Sequence, residues 1–249
     1  MKQTLLITGA AKRIGASIAS HMASLDYDIA LHCNDSIGDA KTLLGEISQK
    51  YPKIKSKIYS GNLTDASFAS GLVADVFKDF GNLSLIINNA SVFTKSNCLD
   101  FNQADFTHCI DLHVKAPCII TSSFYKIVKS NISLQTLSPS VINICDANFM
   151  RAKTMYFNYL LSKKMLFEAS RQMSVEFAPE IRINCIMPGY IIGAVNEDTG
   201  YLQRLEKQIP LQTKGSQQDI CQAVEYLSKA RYITGQWISV DGGYGNVNL

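Results

Sequence analysis

Two side chains with complementary chemistry, Tyr159 and Lys163, stand four positions apart and share one face if their segment is helical. A phenol titrates near ~10, so it gives up its proton sluggishly at neutral pH unless a nearby cation lowers that value. Asp146, just past an apolar run at 141–144, adds a carboxylate that a strand end would deliver beside the tyrosine. Together the three would make a proton-transfer site. The same residues also admit a plainer account: a packed tyrosine, a solvated lysine, and an aspartate opening the turn at Ala147 and Asn148.

A second feature opens the chain. The run Thr8-Gly9-Ala10-Ala11-Lys12-Arg13-Ile14-Gly15 follows an apolar stretch and leads into a helix-like one. Gly9 permits a tight turn, Gly15 allows close packing of helix on sheet, and the helix N-terminus offers N–H groups to a phosphate. Lys12 and Arg13 add positive charge beside it. A tight strand-to-helix connection would look similar; the place of this turn at the start of a strand–helix series favours a dinucleotide site.

The elements that must position these groups alternate along the chain. Strands are predicted at 4–8, 28–33, 54–59, 83–88, 141–144, 181–187 and 237–240. Helices are predicted at 15–25, 39–50, 66–80, 103–130, 154–177 and 217–230. Several strands are apolar without alternation, as in parallel strands covered on both faces. Alternation with short connections implies right-handed crossovers. The expected fold class is therefore α/β: a single-domain, Rossmann-type doubly wound sheet of about seven parallel strands with helices on both faces. The whole chain, 1–249, reads as one domain, and the long irregular stretch 190–215 suits a substrate lid. Pro117 predicts a kink or break within 103–130. Ligands of such sheets bind beyond the C-terminal strand ends.

Composition narrows the class. At 249 residues the chain has 47% apolar and 18% charged residues, enough for a large core. Lys+Arg 24 against Asp+Glu 21 leaves +3, too balanced for a nucleic-acid footprint. No segment has the length of a membrane span or of a signal-peptide core. Seven scattered cysteines and four histidines show neither disulfide nor zinc spacing, so reduced thiols in a cytoplasmic protein, and no metal, are expected.

Taken together, the motifs resemble the short-chain dehydrogenase/reductase family over nearly the whole chain. They comprise the Thr8–Gly15 turn, Asn88-Asn89-Ala90, Tyr159 with Lys163, Pro188-Gly189, Ile233-Thr234-Gly235 and Val240-Asp241-Gly242-Gly243. Within it, the details are similar to pteridine reductases and dihydromonapterin reductases. Arg13 stands where most relatives carry a glycine, and Asn88–Phe93 is similar to a segment that lends a serine and an aromatic to the pterin pocket. Asp146 replaces the usual catalytic serine. His113 replaces the usual asparagine.

The resemblance implies NAD(P)H over Gly9, Lys12, Arg13, Ile14 and Gly15, with its adenine near Asn62 and Leu63. The nicotinamide would lie near Asn89, Ala90, Tyr159, Pro188, Gly189 and Ile191. Lys163 would hold the nicotinamide ribose and depress the Tyr159 pKa, while Tyr159, assisted by Asp146, feeds a proton to a ring nitrogen. Arg13, Ser91, Phe93, Asp146 and Tyr159 would contact substrate, Phe93 stacking on a flat pterin or merely packing in the core. His113 would either hold a water in the proton path or sit as a satisfied core histidine. At the end of the second strand Cys33 replaces the acid of NAD-preferring relatives, and Lys12, Arg13 and His32 lie nearby, with Asn34 and Ser36 completing the cofactor end. This favours NADP(H) over NAD(H), although Asp35 and Asn62 depart from the pattern.

Three functions follow: an NADPH-dependent pterin or dihydrofolate reductase, a reductase of another carbonyl such as a 3-oxoacyl thioester, or a non-catalytic NADPH sensor. A homotetramer is the family's common assembly, with interfaces at 103–130 and 154–177 and at the C-terminal region.

Overall fold

Continuous apolar runs can only form strands buried on both faces, and five strands in the chain meet that condition at every position. The computed structural model describes residues 2–150, 155–191 and 206–246. Strands β1 (Thr4–Ile7), β2 (Asp28–Cys33), β4 (Leu83–Asn88), β5 (Ser140–Ile144) and β6 (Arg182–Pro188) are buried throughout. The edge strands β3 (Ser56–Ser60) and β7 (Trp237–Val240) are half-exposed, as edges must be. All pair in parallel in the order β3-β2-β1-β4-β5-β6-β7.

Helices cover both faces. On one, α1 (Arg13–Ser24), α2 (Ile37–Lys50) and α8 (Gln217–Lys229) bury Ile18, Met22, Leu43 and Val224 against Leu5 and Ile7 of β1. On the other, α3 (Ala66–Phe80), α5 (Ala116–Ser130) and α7 (Phe157–Glu176) bury Val73, Phe124 and Met173 against Leu6 and Ile86. β1 pairs with β2 on one side and β4 on the other, so the winding reverses there and leaves a crevice beyond the two strand ends.

The stretch expected to be one helix over 103–130 is three pieces. α4 (Gln103–Ile110) runs into a π-turn at Asp111–Lys115, and α5 then begins with Pro117 in its first turn, where the missing N–H costs least. The break foreseen from Pro117 thus lies just upstream of it, at His113. A short α6 (Ile132–Gln135) was not read from the sequence, and β3 starts at Ser56 rather than 54. Of the segment 190–215, residues 192–205 lie outside the described set. Its described ends meet where the Gly215 N–H donates to Tyr190 O (3.0 Å).

Two braces hold the β6–β7 side. The buried Arg182 guanidinium donates to the carbonyls of Leu227, Ala230, Ile233 and Ser228 at 2.9–3.3 Å, closing the C-terminus of α8. After β7, the Asp241 carboxylate accepts the N–H groups of Gly243 (2.9 Å) and Gly245 (2.7 Å). That turn lies so close to Ala147 that a Cβ on Gly245 would stand 3.2 Å from its carbonyl oxygen.

Candidate active site

At the crevice, small residues let backbones touch. Gly9 adopts φ +60°, and a Cβ there would come within 2.7 Å of Ala90 Cα. The Asn89 amide donates to Thr8 O and Gly9 O, both at 2.9 Å, while Thr8 Oγ1 accepts the N–H groups of Asn89 and Ala90 at 3.0 Å. Asn89 thus locks the β4 end to the β1 turn. Gly15 is small for the same reason: a Cβ would lie 2.6 Å from Asn89 Nδ2 and 2.7 Å from Ala10 Cα. Its role is contact with this turn rather than helix-on-sheet packing.

The N-terminus of α1 has no side-chain cap and no acidic residue in its first turn. Arg13 holds the left-handed φ of +55°, a strained conformation for a side chain other than glycine. Uncapped N–H groups beside Arg13 are a donor set suited to a diphosphate, so these residues fit a dinucleotide. Lys12 pairs with Asp39 at 2.9 Å, both about half-exposed. Ile14 is partly buried against the core, and Ile191, Pro188 and Gly189 line the β6 end, Gly189 donating to Val240 O.

At the far end of the crevice His32 is 2% exposed. Its Nδ1 accepts the Gly9 N–H (3.2 Å) and its Nε2–H donates to Gly61 O (3.0 Å). Burial pushes its pKa down to about 4, so it is neutral and adds no positive charge for a phosphate, contrary to the sequence expectation. It is a brace joining the β1 turn to the β3 end. Asn34 donates to Asp35 (2.5 Å), Ser36 precedes α2, Asn62 accepts the Thr64 N–H (3.0 Å), and Leu63 is buried in the core.

The candidate proton-transfer residues converge at the ends of β4 and β5. The Tyr159 hydroxyl donates to Asp146 Oδ2 at 3.0 Å, and Lys163 Nζ donates to Ile144 O at 2.8 Å. Burial and the adjoining carboxylate hold the tyrosine well above its ordinary pKa, and burial lowers that of Lys163. Lys163 therefore does not depress the phenol as expected: its Nζ stands 5.8 Å from the ring centre and is spent on a carbonyl. The phenol keeps its proton at neutral pH.

Asp146 serves both readings at once. Oδ2 meets Tyr159, while Oδ1 accepts the Asn148 backbone N–H and side-chain Nδ2–H, each at 2.7 Å, opening the short 3-10 turn Ala147–Met150. Among the described residues Asn148 Oδ1 is buried without a partner, a cost of ~1–3 kcal/mol for an orphaned polar atom.

His113 is 1% exposed and held at both nitrogens. Nε2 accepts from the Val92 N–H (3.0 Å) and Ser91 Oγ (3.1 Å), which leaves the proton on Nδ1, donated to Ser162 Oγ (2.7 Å). Ser162 in turn donates to Tyr159 O (2.7 Å). Burial and nearby Lys163 push the imidazole down to about 2, so it stays neutral. Phe93 is 54% exposed, set edge-on to Tyr159 (4.7 Å) and stacked on Tyr156 (4.4 Å). Its loop is pinned where Ser96 N donates to Met155 O (2.8 Å) and Phe157 N to Ser96 O (3.1 Å).

Tyr156, Ser96 and Ser162 escaped the sequence reading, and Asn148 entered it only as part of a turn. An Asp-x-Asn pattern at 146–148 and a serine and tyrosine three residues either side of Tyr159 were the available signals. Among the described residues no group of three or more His, Cys, Asp or Glu could hold a metal, and no helix is long and apolar enough to cross a membrane.

Comparison with known proteins agrees with this architecture. A family model described as enoyl-(acyl carrier protein) reductase matches residues 9–245. The 3-oxoacyl-[acyl-carrier-protein] reductase FabG of Staphylococcus aureus is 28% identical over 248 residues, 98% of each chain. Pteridine reductase 1 of Leishmania tarentolae is 27% identical over 274 residues, covering 96% of this chain and 95% of its own. The crystal structure of FolM alternative dihydrofolate reductase 1 from Brucella canis complexed with NADP superposes with TM-score 0.91 at 28% identity, covering 99% of this chain and 95% of that one. The Brucella suis counterpart, also with NADP, gives the same score. With its turn, its parallel sheet and its Tyr159–Lys163 helix in place, the chain belongs to the short-chain dehydrogenase/reductase family.

Proposed function

We propose that the chain is an NADPH-dependent reductase of a pterin-type ring, taking a dihydropterin or dihydrofolate to the tetrahydro form. The observation that carries this reading is the Tyr159–Asp146 hydrogen bond with the exposed Phe93 ring set against the same tyrosine. A planar ring, apolar on its faces and polar at its edge, suits a site where the half-exposed Phe93 ring stands against Tyr159 and Asp146, with Ser91 and Arg13 proposed to meet its polar edge. Similarity to the Leishmania and Brucella proteins supports it.

Gly9, Ile14, Gly15, Asn89, Ala90, Pro188, Gly189 and Ile191 shape the cofactor crevice, and the uncapped α1 N-terminus with Lys12 and Arg13 binds its phosphates. When bound, NADPH supplies the hydride. Tyr159 holds a proton at its hydroxyl for the adjacent ring nitrogen, Asp146 orients that hydroxyl, and Lys163, anchored on Ile144 O, is the residue that would hold the nicotinamide ribose. His113 keeps the 91–92 loop and Tyr159 in register. One domain carries the whole reaction.

The FabG similarity favours a second reading, reduction of a 3-oxoacyl thioester. Asp146 weighs against it, because a carboxylate repels the carbonyl oxygen that a serine would bind. The decisive assay follows NADPH consumption with dihydrobiopterin, dihydromonapterin, dihydrofolate and an acetoacetyl thioester, with an NADH arm. Pterin turnover lost in Tyr159→Phe and cut to a small, still measurable residual rate in Asp146→Ala, with NADPH binding retained, supports the first reading; turnover only on the thioester supports the second. NADPH binding without any turnover would point to a sensor.

The assembly we propose is a homotetramer in the cytoplasm. Exposed Val175 and Trp237 at the expected interfaces support the first, and seven unpaired cysteines suit a reducing compartment. Light scattering on the purified protein measures the assembly directly.

A further inference from the structure

We infer that Asn148 is a positioning residue that fixes the Asp146 carboxylate for proton transfer, an inference that rests on the proposed reductase function. A carboxylate at a strand end has two free torsions, and its second oxygen can leave the tyrosine unless the first is held. Here Oδ1 is gripped twice from one residue, by the backbone N–H and by the side-chain Nδ2–H of Asn148, both at 2.7 Å. A backbone N–H alone would make an ordinary aspartate turn, available from any residue at 148 except proline. The added amide closes a ring around Oδ1, and rotation of the carboxylate would break both contacts at once.

The far side of the amide supports the same conclusion. Asn148 Oδ1 is buried with no partner among the described residues. Turned over, the amide would set its oxygen against Asp146 Oδ1, two acceptors facing each other. The side chain therefore keeps the orientation that serves the carboxylate and leaves its own acceptor unsatisfied. Asp146 is the only group among the described residues to which its Nδ2 donates, and Asp146 presents Oδ2 to Tyr159 at 3.0 Å. Asn148 acts on Tyr159 through Asp146, not directly.

The test is a double-mutant cycle of Asn148→Ala and Asp146→Ala, with kcat and KM measured on dihydropterin and NADPH. Asn148→Ala should lower kcat roughly tenfold, the size of one hydrogen bond to a charged group, with both KM values nearly unchanged. In the Asp146→Ala background the same substitution should change kcat less than twofold. The isosteric Asn148→Asp, which sets a second carboxylate against the first, should lose at least as much as the alanine variant and recover part of it as pH falls. Equal losses from Asn148→Ala in both backgrounds, or none in either, would overturn the inference. If the wild-type chain reduces no pterin, the functional reading fails, and crystal structures of wild-type and Asn148→Ala protein then decide the positioning role. Departure of Asp146 Oδ2 from hydrogen-bond distance of Tyr159 supports it, and an unmoved carboxylate overturns it.

Discussion

The cofactor end and the substrate end of the crevice are each closed by a buried, neutral histidine, yet the two imidazoles do different work. His32 links backbone to backbone, Gly9 to Gly61, across three strands that are fixed by the sheet in any case. His113 sits in the π-turn and links a loop to a helix through Ser91, Val92 and Ser162, none of which the sheet fixes. The nucleotide end is thus rigid through its strands, with His32 as reinforcement. The substrate end is rigid only as far as His113 and the Ser96 pairing make it so, which leaves room for Phe93 to be shaped by what it binds.

If that contrast holds, removing the two imidazoles should have unequal results. His113→Ala leaves a cavity, takes away the donor to Ser162 Oγ and strands the Val92 N–H, so a loss of ~3 kcal/mol by denaturant unfolding is expected, with turnover falling together with it. A fall in stability without loss of turnover would break the comparison.

Acid should act through the same groups. The unfolded histidine titrates at 6.5 and folded His32 at about 4, so below pH 6.5 the unfolded state binds the extra proton and stability declines until pH passes about 4. His32 alone would account for roughly 3 kcal/mol over that window, and His113, lower still, continues the loss. Stability above pH 6.5 should be flat with respect to both. Melting curves from pH 7 to 4 should be shallower by one proton in His32→Gln, and an unchanged slope would refute the assignment.

At neutral pH, His32→Ala should cost only ~1–2 kcal/mol and weaken NADPH binding several-fold while sparing kcat. The smallest effect on stability belongs to Phe93→Ala, within ~0.5 kcal/mol because the ring is half in solvent. Its KM for pterin should nonetheless rise several-fold, and an unchanged KM would reduce Phe93 to a wall without a substrate.

The sheet was legible because buried parallel strands such as β1 and β4 are mostly apolar without polar alternation, and the turn after β1 because its glycines stand where chains nearly collide. Tyr159, Lys163 and Asp146 were legible as a set because helix pitch and a strand end bring them together. The states of His32 and His113 were not, since each depends on partners remote in the sequence and on burial that no local pattern encodes. Lys163 was read as tuning the phenol, but its nitrogen is taken by Ile144 O, a backbone acceptor that composition cannot reveal. Asn148 reads as a turn residue, and only three dimensions show its amide folded back onto the same oxygen as its backbone.

The contact between Gly245 and the Ala147 carbonyl has a consequence for the order of events during synthesis. The turn that carries Asp146 leaves the ribosome long before Asp241 and Gly245 do, so every other reacting group is already made while this buttress is still missing. A chain stalled before that point would hold Tyr159, Lys163 and Asp146 without the segment that backs their turn. Until Asp241 and Gly245 are in place, the carboxylate of Asp146 would hang on a turn with nothing behind it.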